Sequence, residues 1–181
     1  MTTTRAELRF GPPPLETDRL ILRPAVVDDA LIYRRLWTER DPRVPPHRTI
    51  DAEGRPTVDD IATRIRTESS ATGPRLLTVE RKGAGDVIGY CGLILRGHGS
   101  PEEPELAYEL LRSAHGNGYA TEAGRAVVGW ATSAGYPRLW AGVRDWNIAS
   151  RRVLAKLGFR ETGQVERDAA HGDSLLTVRE L

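Results

Sequence analysis

After the rigid Pro12-Pro13-Pro14 segment, Leu20 and Leu22 alternate with Ile21 and Arg23 and predict a first strand. The period then lengthens: Asp28 and Asp29 stand where helix caps belong, and Ala30, Tyr33, Leu36 and Trp37 recur on one helical face. Pro42, Pro45, Pro46 and Pro56 interrupt the charged stretch from Glu39 to Pro56, which is expected to be a mobile loop. Thr57 caps a second predicted helix carrying Val58, Ile61 and Ile65, and Gly73-Pro74 ends it. Leu76 to Glu80 and Val87 to Leu95 read as two strands joined by the turn Gly83-Ala84-Gly85-Asp86. A polar loop from Gly97 to Pro104 leads to a fourth strand over Glu105 to Leu111, with acidic residues alternating. The longest helical pattern follows, with Ala120, Ala123, Val127, Trp130, Ala131 and Ala134 on one side until Gly135. Arg138 to Val143 is a strand, Asn147 to Leu157 a helix stopped by Gly158, and the tail from Phe159 supplies two more strands, the last at Leu175 to Val178. Helices interleaved with strands predict an α/β or α+β domain built on one mixed sheet.

Composition narrows the function without naming it. The 181 residues include 26 Lys+Arg and 25 Asp+Glu, a formal net charge of +1, so no direct nucleic-acid partner is expected. No run of 18 apolar residues is present and the first ten residues, with Arg5 and Arg9, lack a following apolar segment, so a cytoplasmic protein with no membrane partner is expected. Cys91 is the single cysteine, and excludes an intramolecular disulfide. It reads as a small core residue, and His47, His98 and His171 lack metal-ligand spacing, so no metal is expected.

The most informative segment is His115-Gly116-Asn117-Gly118-Tyr119-Ala120-Thr121-Glu122-Ala123-Gly124, between a strand and the longest helix. Glycines there let the chain turn sharply and gather N–H groups at the positive end of a helix, an arrangement that binds phosphate. The segment is not a P-loop, because Tyr119-Ala120 follow Gly118 where Lys-Ser/Thr is required, and it lacks the spaced glycines and following acid of a dinucleotide fingerprint.

These residues resemble the GNAT N-acetyltransferase superfamily, in particular the Rim-type branch similar to ribosomal-protein amino-terminal acetyltransferases. Leu15 to Arg23 resembles the branch's opening strand, Asp28-Asp29-Ala30 its first helix start, and Ile88-Gly89-Tyr90-Cys91-Gly92-Leu93 its third strand. Glu105 to Ala123 resembles the acetyl-CoA motif, and Asn147-Ile148-Ala149-Ser150 with Leu154 to Phe159 the branch's second signature. His115 departs from the family pattern, which has Gln or Arg there. The resemblance implies a GNAT-like single domain over 15–181 behind a flexible arm over 1–14. Its mixed, mostly antiparallel sheet would have six to seven strands, splayed between the fourth and fifth, with about four helices around it.

The same resemblance implies acetyl transfer from acetyl-CoA, as co-substrate, to an amine acceptor by direct attack in a ternary complex. Amides from Gly116 to Thr121, that is Gly116, Asn117, Gly118, Tyr119, Ala120 and Thr121, would hold the pyrophosphate, with His115 beside them. A bulge around Glu109 to Leu111 would open the sheet for the pantetheine arm, and the N–H of Leu110 or Leu111 would meet the thioester carbonyl. Glu105 or Glu109 would relay the amine's proton through water, and the resemblance favours Glu105. Leu154 stands where many members have a thiolate-protonating Tyr, so Ser150 becomes the donor to sulfur. Asn147 would bind the pantetheine amide, unless it serves as its helix's N-cap, and Arg151, Arg152 and Lys156 would meet the adenosine phosphates or line a solvated face. Among Trp37, Trp130, Trp140 and Trp146, only Trp146 reads as a site wall. Arg40, Arg43, Arg48 and Arg55 fall where the family places part of its acceptor site.

Deprotonating a lysine of pKa about 10.4 at pH 7 costs about 4.6 kcal/mol, and an α-amine near 8 about 1.4 kcal/mol, so a protein or peptide amino terminus, or a small amine, is favoured. A non-catalytic acyl-CoA sensor, or a nucleotide-binding regulatory domain, is the alternative left open, as is a homodimer.

Overall fold

Leu20 and Leu22 lie on the same face of an extended strand and are both fully buried. A computed structural model describes residues 12–68, 73–95 and 99–181. Most of the expected arm, with Arg5 and Arg9, lies outside the described residues, as does His98.

The strands are β1 (Leu15–Glu16), β2 (Leu20–Arg23), β3 (Leu76–Arg81), β4 (Val87–Ile94), β5 (Glu105–Leu110), β6 (Arg138–Arg144), β7 (Arg160–Glu166) and β8 (Ser174–Glu180). They form one eight-stranded sheet in the order β1-β2-β3-β4-β5-β6-β8-β7. The strand beyond the expected seven is β1, whose two residues are too short to display a period of two. Four α-helices are described: α1 (Ala30–Glu39), α2 (Val58–Glu68), α3 (Tyr119–Ser133) and α4 (Ile148–Lys156). Between α1 and α2 the expected loop contains a single 3-10 turn, Pro46–Arg48.

Alternation along β3 sorts the helices onto two faces. Leu77 and Val79 join the core under α3 and α4, with Cys91, Leu93, Leu106, Leu110, Val127 and Leu154. Thr78, between them, turns to the other face, where its hydroxyl lies 2.8 Å from the Tyr33 hydroxyl of α1. Ala30, Tyr33, Leu36, Ile61, Ala62 and Ile65 form a second core there with Leu111.

Where β5 meets β6, the sheet parts. Every other neighbour pair is antiparallel, whereas β5 and β6 run parallel and share one bridging pair, Glu105↔Trp140. The two strands then diverge toward their C-terminal ends, which is the splay expected between the fourth and fifth predicted strands. The expected bulge at Glu109 to Leu111 is absent. Pairing of β5 with β4 is unbroken from Ile94↔Glu105 to Gly89↔Leu110, and the irregularity sits on β4, where Ile88 is passed over opposite β3. Gly89 makes this possible: its φ is +151°, and a Cβ would lie 2.1 Å from the Glu109 carbonyl oxygen. So β5 is drawn against β4 and away from β6.

A buried polar group locks α1 to β2 and β3. Asp29, 4% exposed, accepts from both terminal nitrogens of Arg23 (2.9 and 3.0 Å), the Val26 amide (2.9 Å) and the Thr78 hydroxyl (2.9 Å). Burial pushes the Asp29 carboxyl up, but the Arg23 bond, the Val26 amide and the Thr78 hydroxyl outweigh it and hold it below the usual carboxylate range. With the folded-state value depressed, the stabilisation is complete above about pH 5 and is lost progressively as pH falls through the unfolded-state value of about 3.9 toward the lower folded-state value. Asp29→Ala is expected to cost about 3 kcal/mol in urea denaturation at neutral pH, since Arg23 keeps only Glu80, Thr78 keeps only Tyr33, and the Val26 amide loses its acceptor. Asp29→Asn is expected to flatten the loss of stability between about pH 5 and about pH 2 that the wild-type chain shows.

Candidate active site

Helix α3 begins without a side-chain cap. Its N-cap is Gly118 in the left-handed region (φ +80°), preceded by Gly116 at φ +77°. Backbone bonds on either side are made: His115 N–H donates to the Arg112 carbonyl at 3.1 Å and Glu122 N–H to the Gly118 carbonyl at 3.0 Å. Between them, among the described residues, the amides of Gly116, Asn117, Gly118, Tyr119, Ala120 and Thr121 meet no protein acceptor. Unsatisfied amides at a helix's positive end form an anion site. A Cβ at Gly116 would meet nothing within 4 Å, so the approach is open.

The cradle is braced rather than blocked. Glu122, in the first turn of α3, accepts from the Thr17 hydroxyl (2.5 Å), the Arg19 amide (3.0 Å) and Arg19 Nε (2.7 Å), tying the β1–β2 turn to the helix. Arg19 Nη1 also donates to the Asn117 carbonyl at 3.1 Å, placing a half-exposed guanidinium beside the cradle. His115 turns inward, with Nε2 donating to the Leu110 carbonyl at 2.9 Å. Its ring and its amide are therefore both engaged within the loop.

The splay presents backbone along β5. Leu111 N–H donates to the Ile88 carbonyl at 2.8 Å, so it faces β4 and is used. Amides alternate along a strand, so those of Tyr108 and Leu110 face the gap toward β6. Of the two amides expected to meet a carbonyl, geometry leaves Leu110.

Across the gap stands the start of α4. Asn147 Oδ1 accepts from the Ser150 amide at 3.1 Å, so Asn147 is the helix N-cap. The Ser150 hydroxyl lies 2.8 Å from the Tyr108 hydroxyl, which is also 3.1 Å from the Ser150 carbonyl. Burial pushes the Tyr108 phenol up to about 12, so it remains a proton donor throughout the neutral range. Leu154, 3% exposed, is packed in the core. Arg151 pairs with Glu161 (2.8 Å), while Arg152, the next residue of α4, is exposed.

The two expected proton relays differ sharply. Both oxygens of Glu109 are held by Arg40, Nε to Oε1 and Nη2 to Oε2 at 2.7 Å each, and the Tyr90 hydroxyl donates to Oε2 at 2.6 Å. Burial lowers the pKa of Arg40, but the bond to Glu109 outweighs it and raises the pKa on balance, and burial with the Glu109 charge drives Tyr90 upward. Glu105 sits at the apex of the splay, in the bridge to Trp140. It is five residues from Leu110, about 16 Å along an extended strand.

The α1–α2 loop reaches both arms of the splay. Arg40 grips Glu109 on β5, and the Arg43 guanidinium lies 4.2 Å from the ring centroid of Trp146, just beyond β6. Trp146 thus stands at the end of the β6 arm, whereas Trp130 packs on Tyr136 and Trp140 donates to Glu103 at 3.0 Å. Trp37 lies under Arg40, 4.0 Å from the guanidinium, and lines an open pocket of about 370 Å³ with His47, Asp51 and Asp60. Arg19, Tyr108 and the gripping role of Arg40 were not legible, because each acts through a contact distant in sequence. Cys91 is fully buried, which pushes its thiol up to about 12.

A family profile described as an acetyltransferase (GNAT) domain matches residues 19–160. The chain is 29% identical over 157 residues to a Bacillus subtilis protein named uncharacterized N-acetyltransferase YoaA, covering 83% of this chain and 85% of that one. The structure of Mycobacterium smegmatis RimJ in complex with CoA-disulfide is similar at 26% identity and a TM-score of 0.68, covering 93% of this chain and 86% of that one. A GNAT-family acetyltransferase from Bacillus anthracis shares the fold at 18% identity and a TM-score of 0.76, over 93% and 98% of the two chains.

Arg40→Ala is expected to destabilise the protein by about 2 kcal/mol in urea denaturation, because Glu109 loses both guanidinium bonds and is left with the Tyr90 hydroxyl. The double variant Arg40→Met, Glu109→Met is expected to recover at least half of that loss.

Proposed function

The chain belongs to the GNAT acetyltransferase family, and on that premise we propose that it moves an acetyl group from acetyl-CoA to a primary amine, with an α-amine preferred to a lysine side chain. The observation that carries the proposal is the row of acceptor-free amides from Gly116 to Thr121 beside the splayed strands. A diphosphate supplies the oxygens those amides lack, and the Arg19 guanidinium adds charge next to them.

From that anchor the rest of acetyl-CoA runs into the gap between β5 and β6. Asn147 offers its side-chain nitrogen to a pantetheine amide while its oxygen caps α4. The Leu110 N–H faces the thioester carbonyl and stabilises the charge that develops on oxygen. Ser150 donates to the leaving sulfur. Tyr108 completes that assignment: its single phenol proton faces both the Ser150 carbonyl and the Ser150 hydroxyl, and when it turns to the hydroxyl the serine proton is left free to point at the thiolate. Arg152, exposed on α4, is assigned to the adenosine phosphates.

The preference for an α-amine follows from proton cost. At pH 7 the difference between a lysine and an α-amine is about 3 kcal/mol, a factor of more than one hundred in the population of free base. The experiment is thiol release from acetyl-CoA with a panel of short peptides bearing free α-amines, Nα-blocked lysine peptides and small primary amines. Transfer is expected to the α-amines at pH 7, with the lysine peptides gaining rate toward pH 9. Thermal stabilisation by CoA without thiol release to any amine would identify a binding protein instead.

A further inference from the structure

The loop between β7 and β8 holds an imidazole and a carboxylate in contact at the end of the β6 arm, unused by the reading above. His171 Nδ1 lies 3.0 and 3.1 Å from the two Asp168 oxygens. Asp168 is itself fixed: Arg144 Nη1 donates to Oδ2 at 3.0 Å, and the amides of Ala170 (3.2 Å) and His171 (3.0 Å) donate to Oδ1. A carboxylate accepting from Nδ1–H places the lone pair on Nε2. Among the described residues Nε2 has no hydrogen-bond partner, and the side chain is 28% exposed.

The loop belongs to the mouth of the splay. Trp146 Nε1 donates to the His171 carbonyl at 2.7 Å, and a Cβ on Gly172 would lie 2.4 Å from Trp146 Cδ1, so the loop backbone is pressed flat on the indole. Arg43 of the α1–α2 loop lies 4.2 Å from the same ring's centroid. Trp146 precedes the Asn147 cap, and Ser150, across from Tyr108, is one helical turn further on, about 6 Å along the axis. Neither carboxylate on β5 competes well: Glu109 is bound at both oxygens, and Glu105 lies at the closed apex.

We propose that His171 is the catalytic base of the transfer, accepting a proton from the incoming ammonium at Nε2, with Asp168 as its positioning residue; this rests on the acetyl-transfer reading above. Loss of that proton frees the nitrogen lone pair, which forms the C–N bond at the thioester carbonyl. The C–S bond breaks with its pair on sulfur, and a second proton from the nitrogen of the adduct ends on the thiolate. His171 returns its proton to solvent. An imidazole, with an ordinary pKa of about 6.5, sits closer to an α-amine near 8 than a carboxylate does. The charged groups around it are Asp168 and Arg144, Asp145 at the end of β6, Asp173 and Arg167 in the same loop, and Arg43 over Trp146.

The test is the pH profile of kcat/KM, with the best acceptor of the amine panel, for the wild type and His171→Asn, which keeps a donor for Asp168 but lacks Nε2. The wild-type rate is expected to fall on an acid limb that His171→Asn lacks. His171→Asn is expected to lose about 100-fold in kcat at pH 7, to recover toward pH 9, and to retain the wild-type thermal shift with CoA. His171→Gly is expected to regain activity with added imidazole. Wild-type kcat and pH profile in His171→Asn would overturn the assignment, as would a lowered kcat with an unchanged profile and no imidazole rescue. A wild type that binds CoA but acetylates no amine would overturn the transfer reading and this proposal together.

Discussion

A helix whose cap residue is a left-handed glycine has nothing of its own to satisfy its first amides. In this protein the deficit extends over six residues, Gly116 to Thr121, and no other segment among the described residues fills it. Leaving so many donors without partners is tolerable only where water or an anion reaches them. The surroundings are organised to keep that access. Glu122 is drawn back to Thr17 and Arg19, His115 folds onto the Leu110 carbonyl, and the Asn117 side chain donates to the Ala114 and His115 carbonyls. Each bond stiffens the loop without covering the amides.

The cradle gains chemical use only because the sheet opens next to it. Gly89 lets β4 pull β5 close, while β6 is held along its whole length by β8, from Arg138↔Glu180 to Arg144↔Ser174. One bridge at the apex keeps the arms in register. Beyond it, side chains reach across the gap: Tyr108 to Ser150, and the α1–α2 loop with Arg40 on one arm and Arg43 on the other. The backbone of the gap therefore stays free for an extended ligand while its width is fixed by groups at its edges.

Local patterns in the sequence were enough for the elements that build this scaffold. Alternation at Leu20 and Leu22, the stripe from Ala120 to Ala134 and the glycines at 116, 118 and 135 correspond to β2, α3 and the turns that bound it. The fold and the family followed from the order of two motifs. What stayed hidden depends on partners far apart in the chain: Arg40 and Glu109 are 69 residues apart, Tyr108 and Ser150 are 42. Spacing alone could not tell that Glu109 is tied up, that Leu111 rather than Leu110 spends its amide on β4, or that the irregular strand is β4. Asp168 and His171 are only three apart, yet no helical or strand period singles them out. Their meaning comes from the loop's position against Trp146.

The claim on which all this depends concerns backbone amides, and they are directly observable. Titrating CoA into the 15N-labelled protein and following amide resonances reads each of them. Large, saturable shifts are expected at Gly116 to Thr121 and at Leu110, with the β4-facing amide of Leu111 little changed. Saturable CoA binding that leaves the 116–121 amides unmoved, with its shifts clustered elsewhere, such as the pocket at Trp37 and His47, would contradict it.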